Sequence, residues 1–157
     1  QPILLVTEEG TEDEAITRLA RVGFDNVIGY LDGGFDAWKN SGNEVDSIKR
    51  ITPDQFVEEF NDDSVIIDVR KVSEYNAEHV NDAFNKPLDF IADWANTIED
   101  GEHFFLHCAG GYRSMIAASI LNSKGIRNFT EIEGGFNGIK KTEKIPTSDF
   151  VCQSKAF

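Results

Sequence analysis

Two stretches of this 157-residue chain echo each other about one hundred residues apart. "GFDNVIGYLDGGFDAWKNSG" (23–42) is answered by "GIRNFTEIEGGFNGIKKTEK" (125–144), so that Gly33, Gly34 and Phe35 correspond to Gly134, Gly135 and Phe136. Further back, Ala15, Leu19 and Gly23 answer Ala117, Leu121 and Gly125, and "ILLV" at 3–6 answers "FFLH" at 104–107. Four matched elements, with one single-residue slip between strand and helix, indicate a duplicated unit.

Each copy reads as strand, helix, strand, short helix. Ile3 to Val6, Val65 to Ile67 and Phe104 to Leu106 are short apolar runs bounded by turn residues, as expected of strands buried on both faces of a parallel sheet. Helical patterns lie between them at Thr11 to Val22 and at Ser114 to Lys124, the latter followed by Gly125 as a C-terminal cap. This alternation implies an α/β fold of three layers, with a central parallel sheet between helices. Only the second copy has a front half: "ITPDQFVEEF", with Thr52 as candidate N-cap before Pro53, then "SVIIDVR" and "SEYNAEHV". Residues 49–157 therefore read as a complete domain, and residues 1–48 as a truncated half-copy of the same fold. "NSGNEVDSIKR" is the expected linker between them. A half-domain of this size leaves its strands without neighbours, so docking on the complete domain or on a second chain is expected.

Charge narrows the function. Lys plus Arg number 15 against 28 Asp plus Glu, a formal charge of -13. Any field that attracts an anion must be local, and nucleic acid is not an expected partner. No run of about 18 apolar residues occurs and no secretory leader opens the chain, so neither a membrane span nor export is expected and a cytoplasmic setting is the default. Met115 is the only methionine and residue 1 is Gln, which suggests a piece of something longer. The two cysteines, Cys108 and Cys152, make no disulfide framework and have no ligand neighbours at metal spacing, so no metal or cofactor is expected. Cys152 is read as structural or incidental.

The chemistry concentrates in "FFLHCAGGYRS". A chain that leaves a buried strand and curls at once into a helix turns its amide N–H groups inward, and glycines at 110 and 111 allow positive φ and close approach. Ser114 and the helix start add the positive end of the macrodipole. Cys108 opens this cradle, so its sulfur is expected at the centre. A free thiol titrates near about pH 8.5, and each tenfold gain in thiolate takes about 1.4 kcal/mol. A helix terminus supplies about 0.3 to 1 kcal/mol. Loop amides bonded to a charged sulfur supply about 1.5 to 3 kcal/mol each and therefore decide the matter. Arg113, always protonated, can favour both thiolate and incoming anion.

"CAGGYRS" resembles the active-site loop of the rhodanese (sulfurtransferase) family, with four residues between cysteine and arginine. "DVRKVSEYNAEHVNDAFNKPL" (68–88) is similar to that family's front-half signature. The resemblance implies a three-layer rhodanese-like domain over 49–157, and a sulfane sulfur taken from thiosulfate or a small persulfide onto Cys108. The sulfur would then pass to a thiol, sulfite or cyanide acceptor. Ala109, Gly110, Gly111, Tyr112 and Ser114 are implied to hold the transferred sulfur or anion, with Arg113 at the rim beside the nucleophile. Asp68, Arg70 and His79 are implied to brace the domain. Glu78 and Asp82 stand where the family usually has glycine, which questions the shape of that connection.

The first copy has Val6 or Thr7 in the cysteine position and a run of acidic residues, Glu8, Glu9, Glu12, Asp13 and Glu14, so it resembles a degenerate rhodanese domain. Tandem degenerate and catalytic domains resemble the C-terminal part of fusions with a metallo-β-lactamase-fold persulfide dioxygenase. No His-x-His-x-Asp-His pattern occurs in the chain, so an iron site of such a module is expected outside it. A homodimer is a further candidate assembly. Two rivals stand against sulfur transfer: a non-catalytic rhodanese-like binding module, and a phosphatase or arsenate reductase, whose loop has five residues between Cys and Arg.

Overall fold

The computed structural model describes residues 1–98 and 101–149, and Cys152 lies outside them. The chain divides into two compact units, Gln1–Ser47 and Ile48–Phe157.

The N-terminal unit runs β1 (Ile3–Leu5), α1 (Glu12–Arg21), β2 (Val27–Tyr30) and α2 (Gly34–Asn40). β1 and β2 are parallel, with Leu5 opposite Tyr30. Glu12, Asp13 and Glu14 occupy the first turn of α1, and Arg18 and Arg21 the last, the placement that the helix dipole favours. Gly33 and Gly34 have φ of 71° and 57°. A Cβ on Gly34 would overlap the Thr7 carbonyl, so the chain can pass between β1 and α2 only without a side chain there.

The C-terminal unit begins with β3 (Arg50–Ile51) and α3 (Pro53–Glu59). Thr52 caps α3 as its sequence suggests: its hydroxyl accepts from the Gln55 amide and the Gln55 side chain accepts from the Thr52 amide, a capping box. Next come β4 (Val65–Asp68), α4 (Val72–Ala77), β5 (Glu78–Val80) and β6 (Phe84–Asn85). Short helical turns around α5 (Ile91–Trp94) lead to β7 (Phe104–His107), α6 (Tyr112–Ser123), β8 (Phe129–Ile132), α7 (Gly135–Lys141) and β9 (Thr147–Asp149). Five strands form a parallel sheet in the order β3-β8-β7-β4-β6, while β5 and β9 pair antiparallel beside it.

Alternation along the strands divides the core. Ile67, Phe104 and Leu106 point to one face and pack with Ala117, Ala118 and Leu121 of α6 and with Trp94. Ile66 and Phe105 point to the other, where Phe56 of α3 and Phe136 and Ile139 of α7 cover them. Ser114, Ala117, Ala118 and Leu121 recur at helical spacing and are all fully buried. The result is the expected α/β arrangement, a parallel sheet with helices on both faces. It brings the C-terminal ends of β4 and β7 side by side, the place where open α/β sheets present their functional loops.

Candidate active site

Cys108 is the first residue beyond β7, and its carbonyl is held from behind. It accepts the Phe136 amide at 2.6 Å, and the Ala109 carbonyl accepts the Asn137 amide at 3.0 Å. His107, fully buried beneath, places Nδ1 3.1 Å from the same Cys108 oxygen. Phe136 and Asn137 belong to the first turn of α7, so this helix start anchors the cysteine backbone.

The loop then closes in front of the sulfur. Gly111 is the N-cap of α6, with φ of 98°. Its N–H donates to Cys108 Sγ at 3.2 Å, and the Ser114 hydroxyl lies 3.5 Å from the same atom. The two glycines differ: the left-handed conformation falls on Gly111 alone, while Gly110 lies outside it. α6 also starts two residues before Ser114, because Gly111 turns the chain early enough for Tyr112 to open the helix. Ser114 thereby stands in the first turn, and its amide as well as its hydroxyl addresses the sulfur. Cys108 is only 1 % exposed. Burial pushes its thiol up, but the Ser114 hydroxyl and the amides of Ser114, Gly110 and Gly111 more than offset this, so the thiol lies below its ordinary value.

Behind Ser114 stands a residue that pattern reading missed. Glu131, in the middle of β8 and fully buried, accepts the Ser114 hydroxyl on Oε1 at 2.6 Å and the Arg50 Nε–H on Oε2 at 2.8 Å. Arg50 and Glu131 are register partners between β3 and β8, 81 residues apart in sequence. A carboxylate inside the apolar run "FTEI" was the one available signal, since a charge at such a position needs a partner. Ser114 has a single hydroxyl proton and two acceptors, the carboxylate and the sulfur.

Arg113 turns to Glu74 of α4 in a two-pronged pair, NH1 to Oε2 at 2.6 Å and NH2 to Oε1 at 2.8 Å. The pair holds Glu74 well below the usual carboxylate range, at about 2, and raises the guanidinium further. Arg113 thus ties the loop to the front half of the domain. Ala109 is half-buried and Gly110 exposed at the rim, and Tyr112 is 86 % exposed.

The front half rests on a buried brace. Arg70 donates from Nε and NH2 to Asp68 and from NH2 to the Glu78 carbonyl at 2.8 Å, and its guanidinium lies 4.2 Å from the centre of the Phe136 ring. His79 stacks on Tyr75 and bonds its carbonyl through Nδ1 at 2.8 Å. The two positions that lack the family's glycine resolve differently. Glu78 is extended at φ -167°, which any residue adopts, whereas Asp82 takes φ 61°, the left-handed region where Asp is better tolerated than most residues.

A parallel α/β sheet that presents a cysteine at the centre of an amide-lined loop is the class of protein that this fold and site define. The sequence profile of the rhodanese-like domain matches residues 52–142, and the chain belongs to that family. Over 79 residues it is 34% identical to a tRNA sulfurtransferase of Thermoplasma acidophilum, an alignment that covers 50% of this chain and 15% of that protein. Over 92 residues it is 28% identical to the thiosulfate sulfurtransferase GlpE of Pseudomonas entomophila, covering 59% of this chain and 84% of the relative. The chain spans 15%, 54% and 51% of the length of three such curated relatives. A rhodanese-related protein of Thermoplasma volcanium shares the fold with a TM-score of 0.57 at 23% identity, over 64% of this chain and 97% of its own.

Proposed function

We propose that the C-terminal unit is a sulfurtransferase whose nucleophile is Cys108. The thiolate attacks the outer sulfur of thiosulfate or of an organic persulfide. The sulfur–sulfur bond of the donor breaks, sulfite or a thiolate leaves with the electron pair, and Cys108 becomes a persulfide. A thiol, sulfite or cyanide then attacks the terminal sulfur and returns Cys108 to the thiolate, dividing one displacement into two. The observation that carries this reading is the Gly111 amide donating to Sγ from a positive-φ turn, which supports an ionised sulfur held in the cradle. Loop amides from Ala109 to Ser114 are suited to the terminal sulfur, with Arg113 fixing the loop through Glu74. Relatives named as sulfurtransferases point the same way.

Thiosulfate or glutathione persulfide with cyanide should yield thiocyanate, and p-nitrophenyl phosphate should stay intact. Four residues between Cys108 and Arg113 leave less room for a tetrahedral oxyanion than five. Mass spectrometry after exposure to a persulfide donor should add one sulfur to the peptide that contains Cys108. Sulfur found on Cys152 alone, or phosphate release without thiocyanate, would reject the assignment. The 1 % exposure of Cys108 favours a second reading, a non-catalytic binding module. Thiocyanate formation no faster than the uncatalysed background, in the wild type and in Cys108→Ser alike, would establish it.

The N-terminal unit is proposed to be a degenerate half-copy of the same domain. Leu5 opposes Tyr30 as Leu106 opposes Glu131, and Gly34 sits against the Thr7 carbonyl as Gly135 does against that of Cys108, which supports the pairing of Thr7 with the nucleophile. A nucleophile that must stay reduced is also consistent with a cytoplasmic setting. Among the described residues no helix is long and apolar enough to cross a membrane.

A further inference from the structure

α6 has two apolar stripes. One, through Ala117, Ala118 and Leu121, is the core. The other, through Tyr112, Met115 and Ile116, forms with Ser119 and the core-edge Ile120 the wall of a cleft of about 560 Å³, with Ile116 45 % and Tyr112 86 % exposed. A helix face turned to water is ordinarily polar. Gly110 and Gly111 of the sulfur loop close one end of the cleft, and the one charged side chain in its lining is Arg50. Arg50 uses Nε for Glu131, while its NH2 lies 3.8 Å from where a Cβ on Gly111 would stand. Glu131 is buried behind the guanidinium, whereas the Arg50 side chain is 40 % exposed.

In a chain of charge -13 this places a fixed cation beside an apolar wall, at the rim of the loop that holds Cys108. Inorganic thiosulfate has no use for the wall, and a space of this size admits a small organic molecule. We propose that the cleft binds the carbon skeleton of the sulfur donor, and that the donor is a carboxylate-bearing low-molecular-weight persulfide. Its sulfur lies at the loop rim, its carboxylate on the Arg50 guanidinium and its apolar portion along Met115 and Ile116. Glu131 acts as a positioning residue that fixes the guanidinium. This inference rests on the sulfurtransferase reading for the identity of the ligand, but its binding chemistry can be tested without sulfur transfer.

The probe is 3-(butylthio)propionate, an unreactive thioether acid, titrated into the full chain by NMR with its primary amide as control. The acid should bind at least about tenfold more tightly than the amide, the size of one charge-assisted contact, with shifts centred on Tyr112, Ile116 and Ile120. Arg50→Gln should remove the preference for the acid. Should that variant fail to fold for want of a partner for Glu131, Ser119→Glu, at an exposed lining position outside the apolar stripe, tests the same point by weakening the acid more than the amide. In turnover, the persulfide of 3-mercaptopropionate should show a lower KM than that of 2-mercaptoethanol, and the difference should vanish in Arg50→Gln. Equal binding of acid and amide, or shifts elsewhere on the surface, would overturn the proposal even if sulfur transfer is intact. Selective binding with no transfer from any donor would instead overturn the functional reading alone.

Discussion

The carbonyl of Cys108 occupies the space where a side chain on Gly135 would begin. A Cβ at 135 would overlap that oxygen and come within 2.9 Å of the Ala109 carbonyl carbon, while the next amide, Phe136, donates to Cys108 at 2.6 Å. The second glycine of the Gly-Gly-Phe repeat is therefore a condition for placing Cys108, although it lies 27 residues away.

Gly135→Ala should accordingly injure the site from behind. The substitution adds a methyl group into a packed backbone contact and forces alanine to φ 54°. Together these cost about 2 to 5 kcal/mol. Urea unfolding should show that loss, and thiocyanate formation should fall with it because the Cys108 carbonyl must retreat. Wild-type stability and turnover would contradict the coupling.

Gly134-Gly135 was legible in the sequence because only glycine meets its backbone demands, and Thr52-Pro53 because a cap acts within one turn. The front-half spacing of Asp68 and Arg70 was equally local. What sequence reading missed is long-range. Glu131 finds Arg50 through the β3–β8 register, and Glu74 finds Arg113 through the packing of α4 against the loop. Neither pairing leaves a periodic trace, since each depends on how separate elements dock. β5 and β9, at three residues each, are too short for an alternation to be read.

Asp68 and Arg70 should prove essential to stability. The Asp68 carboxylate is fully buried and accepts the Arg70 amide at 2.9 Å and its NH2 at 2.6 Å, with the Arg70 side chain 6 % exposed. Asp68→Ala would strand a buried guanidinium, a loss of about 3 to 5 kcal/mol. Pairing Asp68→Leu with Arg70→Met removes both charges and should cost less than the two single changes added together. Urea denaturation of the four proteins measures the coupling, and simple additivity would refute it.

Stability should fall in two stages as the solution is acidified. Burial lowers the His107 pKa below its ordinary 6.5, so the folded chain binds fewer protons than the unfolded one and stability declines as pH falls below that value. His103 is lowered by burial in the same sense, so His107→Asn should flatten only part of this stage. Glu74 is lowered from 4.5 to about 2 by Arg113, so its contribution is complete above 4.5 and disappears as pH drops toward 2. Glu74→Gln should remove the second stage and leave the first. Chemical denaturation across this range gives the slopes, and a stability that rises on acidification would contradict both assignments.

The reactivity of Cys108 should respond in opposite directions to its two polar neighbours. With Glu131 ionised, the shorter bond at 2.6 Å draws the Ser114 proton toward the carboxylate, and only part of the hydroxyl's help reaches Sγ at 3.5 Å. Ser114→Ala removes that help and should lower the rate of iodoacetamide alkylation at neutral pH by up to about tenfold, the value of one bond to a charged acceptor. Glu131→Gln can donate its amide N–H to the Ser114 oxygen, which frees the hydroxyl proton for the sulfur and removes a nearby negative charge. Alkylation should then become faster, with its pH inflection moved downward. Equal slowing in both variants would mean that Glu131 supports the thiolate through Ser114 instead of competing for its proton.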